Sequence, residues 1–229
     1  GAIMAKGDFA TASNPLGSPT SVIIANCTFA QNIALNDPAV SPDGATEAGA
    51  IMAENNVDLE VFNSRFFGNS AGFGGAISSY RAAIHVESSL LRNNEAFGRA
   101  DINLAGGGGA IAAHSTDSCA DTDNDPTASV SVSNSQIEGC SAQTGGCVFA
   151  SGDLARYASE EPGCQMGTLA ENRTPVTLDQ VIFAGCSVDD VIGNHGIGGG
   201  LHGVLIDLTW SNSMVVDSYA SGTDPEDPT

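Results

Sequence analysis

The chain has 229 residues, 41% of them hydrophobic, and a formal net charge of −20 from 27 acidic residues against one lysine and six arginines. Such a surface repels nucleic acid and anionic lipid headgroups, so neither is an expected partner, and no apolar run is long enough for a transmembrane segment. The length and apolar share suffice for a real core in one elongated domain.

In chain order, one phrase recurs at Ile24 to Ala34, Val61 to Ala71, Val86 to Ala96, Val132 to Ala142, Leu178 to Val188 and Trp210 to Ala220. Aligned without gaps, these give an apolar column of Phe29, Phe66, Leu91, Ile137, Phe183 and Val215. Three residues on stands Asn32, Asn69, Asn94, Cys140, Cys186 and Ser218, and three before the apolar column stands Asn26, Asn63, Ser88, Asn134, Gln180 and Asn212. A second phrase alternates with the first: Ala48 to Ile51, Gly74 to Ile77, Gly108 to Ile111, Gly145 to Val148 and Gly198 to Leu201. Self-similarity at intervals of 25 to 46 residues is the mark of a stacked-repeat architecture, with one coil per repeat and variable insertions.

Within a phrase, apolar β-formers alternate with polar residues, as in Val130-Ser131-Val132-Ser133 and Ile84-His85-Val86-Glu87. That period of two, bounded by Gly, Asn and Ser, predicts short strands. Short strands coiling once per repeat predict an all-β, right-handed parallel β-helix, a solenoid of about six coils with loop insertions. Coils stack about 4.8 Å apart. The apolar column, with Phe29, Phe66 and Phe183, then becomes a core stack, and Asn32, Asn69 and Asn94 become an amide ladder. The glycine pairs suit sharp turns and close backbone approach. Asn26 is expected to be buried in its turn.

The helix is expected to occupy residues 1–220, followed by an acidic, proline-rich tail or linker at 221–229. Gly1-Ala2-Ile3 repeats the end of the glycine phrase, so the chain is expected to start inside a coil and to be a segment of a longer protein. Insertions are expected at Asn36 to Glu47, Gly98 to Ala105, Ala112 to Ala128, Phe149 to Pro175 and Val188 to Ile197, several along one side of the solenoid.

Six cysteines without a paired zinc pattern point to an oxidising compartment, and they allow 15 connectivities. Cys119 and Cys164 lie in insertions leaving equivalent points of adjacent coils and are expected to pair. Cys140 and Cys186 share the ladder column in consecutive coils, within disulfide reach, although their parallel Cβ vectors weigh against a bond. Cys147 reads as a small buried hydrophobe, and Cys27 has no evident partner. Two sequons occur, at Asn26 and Asn172, and the insertion residue Asn172 is the expected glycosylation site.

Asp121, Asp123 and Asp125 alternate in an acidic loop and supply oxygens of the kind calcium takes, though a solvated loop is the simpler reading. Calcium is the only cofactor suggested. Asp189, Asp190 and His195 are the sole catalytic candidates, because polygalacturonase-type β-helix hydrolases carry an Asp pair and a Gly-His-Gly element. Here both elements fall within one insertion, whereas glycoside hydrolysis needs carboxylates across a groove.

The pairing of Gly74 to Ile77 and Gly108 to Ile111 with Phe29-Ala30-Gln31-Asn32 and Phe66-Phe67-Gly68-Asn69 resembles the repeats of chlamydial polymorphic outer-membrane proteins. Two of six phrases keep Phe-x-x-Asn, and two later ones carry Cys in place of Asn. The resemblance implies a pectin-lyase-like β-helix at the cell surface, as in autotransporter passengers and adhesins. The function expected is structural or adhesive, extracellular and non-catalytic. Its partner would be a protein or glycan surface, or further β-helix coils docked end to end. The alternative is a polysaccharide-active β-helix hydrolase or lyase.

Overall fold

The computed structural model describes residues 2–7, 19–35, 47–98, 106–115, 128–152, 173–189 and 198–221. Four parallel sheets wrap around one core, and the chain visits them in a fixed cycle to make a six-coil parallel β-solenoid. The first sheet holds Ile3–Lys6, Ile51–Glu54, Ile77–Tyr80, Ile111–His114, Val148–Ser151 and Leu201–Val204. The second holds Thr20–Ala25, Val57–Phe62, Ala83–Glu87, Ser129–Ser133, Thr174–Asp179 and Ile206–Ser211. The third is narrow, with Thr28–Ala30, Arg65–Phe67, Leu90–Arg92, Gln136–Glu138, Ile182–Ala184 and Met214–Val216. The fourth begins in the second coil at Ser70–Ala71 and ends at Tyr219–Ser221.

The register follows the sequence columns. Phe29, Phe66, Leu91, Ile137, Phe183 and Val215 are successive partners across the third sheet. Phe66, Leu91, Ile137 and Phe183 are fully buried, and the Phe29 and Phe66 rings stack with centroids 5.0 Å apart. Burying each such side chain contributes about 1.5–3 kcal/mol, so this stack is a main source of cohesion between coils.

The amide ladder is equally literal. Asn69 Oδ1 accepts from Asn32 Nδ2 at 2.8 Å and from the Asn32 backbone N–H at 3.1 Å. One coil further, Asn69 Nδ2 donates to Asn94 Oδ1 at 2.9 Å and also reaches the Phe29 carbonyl. The ladder ends at Cys140, whose sulfur lies 3.9 Å from Asn94 Nδ2. Removing a rung leaves buried backbone groups without partners. Asn69→Ala is therefore expected to cost about 1–3 kcal/mol, whereas Gln136→Ala, at an exposed strand position, should leave the urea midpoint nearly unchanged. Equal midpoint shifts in the two variants would refute the ladder's energetic role. Asn55, which sequence reading places in a variable stretch, is unsuitable as a neutral control. It is 3% exposed, in a left-handed turn at φ 53°.

A second ladder runs one corner earlier. Ser64, Ser89, Ser135 and Ser213 each direct the hydroxyl to the carbonyl two residues back, at 2.7–2.8 Å. The same oxygens accept backbone N–H groups of the neighbouring coil: Cys27 onto Ser64, Ser64 onto Ser89, Ser89 onto Ser135 and Val181 onto Ser213. Serine does here what asparagine does in the other column.

Two expectations are corrected. The undescribed stretches are narrower than the predicted insertions: Ala112 to His114, Phe149 to Ser151, Thr174, Pro175 and Val188 remain in strands, and Glu47 bridges to Phe73. By topology, three of these stretches join the first sheet to the second, two join the fourth to the first, and 36–46 leads to the first sheet from beyond Ile33, which bridges to Ser70. Each therefore connects, in sequence, to one end of a first-sheet strand.

Asn26 is exposed, not buried. Its column (Asn26, Asn63, Ser88, Asn134, Gln180, Asn212) is in the left-handed region throughout, with φ of 47–56°. In each of the first five, the backbone N–H is taken by the next coil, as Asn26 N is by the Phe62 carbonyl. The left-handed corner turns the side chain outward.

Candidate functional site

Of the residues singled out by sequence, the ladder and stack residues are structural, as their contacts above require. Asp189 closes the strand Ser187–Asp189 of the fourth sheet. Asp190, His195, Asp121, Asp123, Asp125, Cys119, Cys164 and Asn172 lie outside the described residues. Among the described residues no group of three His, Cys, Asp or Glu side chains is arranged to hold a metal. No helix is long and apolar enough to cross a membrane.

The expected Cys140–Cys186 bond is not formed; Cys186 pairs instead with Cys147. Stacked residues of one column project in parallel, so their sulfurs do not face each other. Cys147 follows the glycine pair and points inward from the corner between the fourth and first sheets. It meets Cys186 across the core within one coil, with Cα atoms 5.5 Å apart. Cys140 remains a buried thiol, and burial raises its pKa to about 11.

The histidines that look isolated in sequence are not all so. His114 and His202 pack against Phe149 from either side, with centroids 5.3 and 5.6 Å away, and Phe73 adds an edge contact to His114. Burial lowers the His114 pKa to about 4 and lowers that of His202, so both are neutral rings in an aromatic row at neutral pH. This row on the outer face of the first sheet is made by packing.

A polar concavity among the described residues lies elsewhere, along the corner between the second and third sheets. The outward corner residues Asn63, Ser88 and Asn134 form one wall, and the outward strand residues Arg65, Leu90 and Gln136 form the other. Ser64 and Ser89, fixed in their ladder, make the floor of a groove of about 400 Å³. The corner amides have their backbone groups satisfied by neighbouring coils, which leaves the side chains to solvent.

Arg65 stands apart electrostatically. Lys6 pairs with Glu54 at 3.2 Å and Arg92 with Glu138 at 3.7 Å. Arg81 packs on the Tyr80 ring and hydroxyl, and Arg173 donates to the Ile206 carbonyl. Among the described residues, Arg65 makes no ion pair. An uncommitted guanidinium, on a protein with 27 acidic residues, offers five hydrogen-bond donors to whatever enters the groove.

Sequence reading picks out the column of Asn63, Ser88 and Asn134, which it assigns to scaffold buried in the turn, and does not single out Arg65, Leu90 or Gln136. The signal available was the polar or charged residue two positions after it, at Arg65 and Gln136, which marks that side of the turn as outward. No family model, no curated protein and no solved structure matches the chain.

Proposed function

We propose that this chain is an extracellular, non-catalytic β-helix segment that binds a surface partner through the groove between its second and third sheets. The carrying observation is the chemistry of that groove. Its free groups are amides, a hydroxyl and an unpaired guanidinium, which donate and accept hydrogen bonds but do not exchange protons near neutral pH. The Cys147–Cys186 disulfide fits an oxidising compartment. The repeat's resemblance to chlamydial surface passengers supports the same location.

Arg65→Met and Asn134→Gly are expected to leave the fold intact and to lower binding of the labelled protein to host-cell or matrix surfaces by at least about fivefold, the effect of losing one to two hydrogen bonds. Asp189→Asn should leave that binding unchanged. Undiminished binding by both groove variants would overturn the reading. Polysaccharide cleavage abolished by Asp189→Asn would favour the polysaccharide-active alternative built on Asp189, Asp190 and His195.

A specific observation also favours rod assembly. Trp210 and Val215 in the sixth coil are 39% and 48% exposed, whereas their partners one coil earlier, Leu178 and Phe183, are fully buried. An apolar coil face with open strand edges favours stacking of a further coil, from this polypeptide or another. The charge of −20 opposes close approach of two copies, so added salt should promote association by screening. Light scattering showing an unchanged monomer at every ionic strength would remove this reading for pairs of copies.

A further inference from the structure

The groove's dimensions and donor pattern narrow the class of partner. Arg65, Leu90 and Gln136 are register partners in three successive coils, as the third sheet requires. They are therefore spaced about 4.8 Å apart, and the row from Arg65 to Gln136 spans about 10 Å. That is room for a di- or trisaccharide lying along the solenoid axis, and the volume of about 400 Å³ is of the same order. The Asn63, Ser88 and Asn134 side chains repeat at the same interval along the opposite wall. Amides and hydroxyls at a repeating spacing match a chain of hydroxyl groups.

The charge pattern adds a second constraint. Arg65 sits at one end with no carboxylate of its own, while Leu90 and Gln136 further along are uncharged. Glu87 and Glu138 stand nearby, Glu87 immediately before Ser88 and Glu138 paired with Arg92. A polyanion would meet these acids and the net charge of −20. A single anionic group placed at Arg65 would not.

We propose that the groove binds an oligosaccharide carrying one carboxylate, with Arg65 holding the acidic sugar and the Ser88, Asn134 and Gln136 side chains holding the neutral sugars that follow. Leu90 supplies the apolar contact for a sugar's C–H face. This assignment rests on the surface-binding reading above and names its ligand class. Arginine suits the acidic end because its planar fork can engage a carboxylate with two parallel hydrogen bonds, which lysine cannot.

The test is calorimetric and NMR titration of the whole chain with two acidic probes, 3′-sialyllactose and a glucuronic-acid-bearing xylotriose, against their neutral parents, lactose and xylotriose. At least one acidic probe should bind at least tenfold more tightly than its parent, with amide shifts centred on residues 63–65, 88–90 and 134–136. Binding should weaken at least tenfold in Arg65→Met, only partly recover in Arg65→Lys, and fall with added salt. Thermal melts of the variants establish that each is folded. Equal affinity for acidic and neutral probes, shifts centred elsewhere, or no binding of either acid would overturn the ligand class. Surface adhesion that still depends on Arg65 while neither acid binds would overturn the ligand class and leave the surface-binding reading standing. Adhesion independent of Arg65 would remove that reading as well.

Discussion

Gly109→Ala is expected to cost about 3 kcal/mol or more, the upper end for overpacking, and to leave the central coils unable to close. A Cβ at this position would stand within 3.0 Å of Ser141 O, Gly146 O and Ser141 N. All three are backbone atoms. The Gly146 carbonyl accepts the Gly109 N–H, and Ser141 N donates to the Asn94 carbonyl. Neither can retreat without breaking the intercoil bonds that define the corner.

The same crowding recurs at Gly75, Gly146 and Gly199, so it belongs to the column. A comparison isolates sterics from backbone preference. Gly68 has φ +58°, yet the nearest atom to its virtual Cβ is a flexible Gln31 carbon 3.9 Å away. Its column already accepts Gln31 and Asn93 at positive φ. Gly68→Ala should therefore cost only the left-handed strain, about 1–2 kcal/mol. Urea midpoints measured by circular dichroism decide the matter. Indistinguishable losses in Gly109→Ala and Gly68→Ala would mean that the corner yields and the close approach is not limiting.

How much of this was legible in the sequence depends on what each residue must do. Phe66 and Asn69 recur because a buried stack and a buried amide ladder tolerate few side chains, so their columns are visible by alignment alone. The two columns of the glycine pair are legible by alignment as well, and the exception in the first of them is consistent, since Ala48 takes φ 55° where Gly74 and Gly108 have 55° and 64°. The serine ladder was missed because serine is common in such a chain, and its role depends on a rotamer that bonds the carbonyl two residues back.

The groove was missed for a different reason. Asn63, Ser88 and Asn134 recur in phase like scaffold residues, and a left-handed corner does favour asparagine. Periodicity records that the position repeats, but not which way its side chain points. That direction follows from the positive φ of the folded corner, and the sequence marks it only indirectly, through the polar residues Arg65 and Gln136 two positions on. The uncommitted state of Arg65 is likewise a property of three-dimensional neighbours: Arg92, one coil on in the same sheet, is two residues out of phase and finds Glu138.

The remaining misreading, the disulfide, leads to the second large effect expected. Removing the Cys147–Cys186 bond by Cys147→Ala with Cys186→Ala should lower stability by about 2–4 kcal/mol. The bond closes a loop with a sequence separation of 39, for which the chain-entropy estimate is near the upper value, about 4 kcal/mol. Both cysteines are fully buried, so a thiol reductant should act only once the coil opens. Reductant is therefore expected to shift the urea midpoint while leaving the native disulfide intact in the absence of denaturant.

Cys140→Ala is the informative control. It removes a buried thiol of the adjacent coil and a 3.9 Å contact with Asn94, but no cross-link, and should cost about 1 kcal/mol. Non-reducing peptide mapping should join Cys147 to Cys186 and find Cys140 free. A Cys140–Cys186 peptide, or equal losses in Cys140→Ala and Cys186→Ala, would refute the assignment. The location of the bond carries the physical reason for its size. The amide ladder joins Asn32, Asn69 and Asn94 and stops at Cys140, and at the next rung the Cys186 backbone N–H donates to a serine hydroxyl, Ser218 Oγ, at 3.2 Å, where Asn32 and Asn69 donate to a side-chain amide. In the coil where side-chain amides no longer tie the turn to its neighbours, a covalent strut across the core takes over, and that coil should be the first to open when the strut is removed.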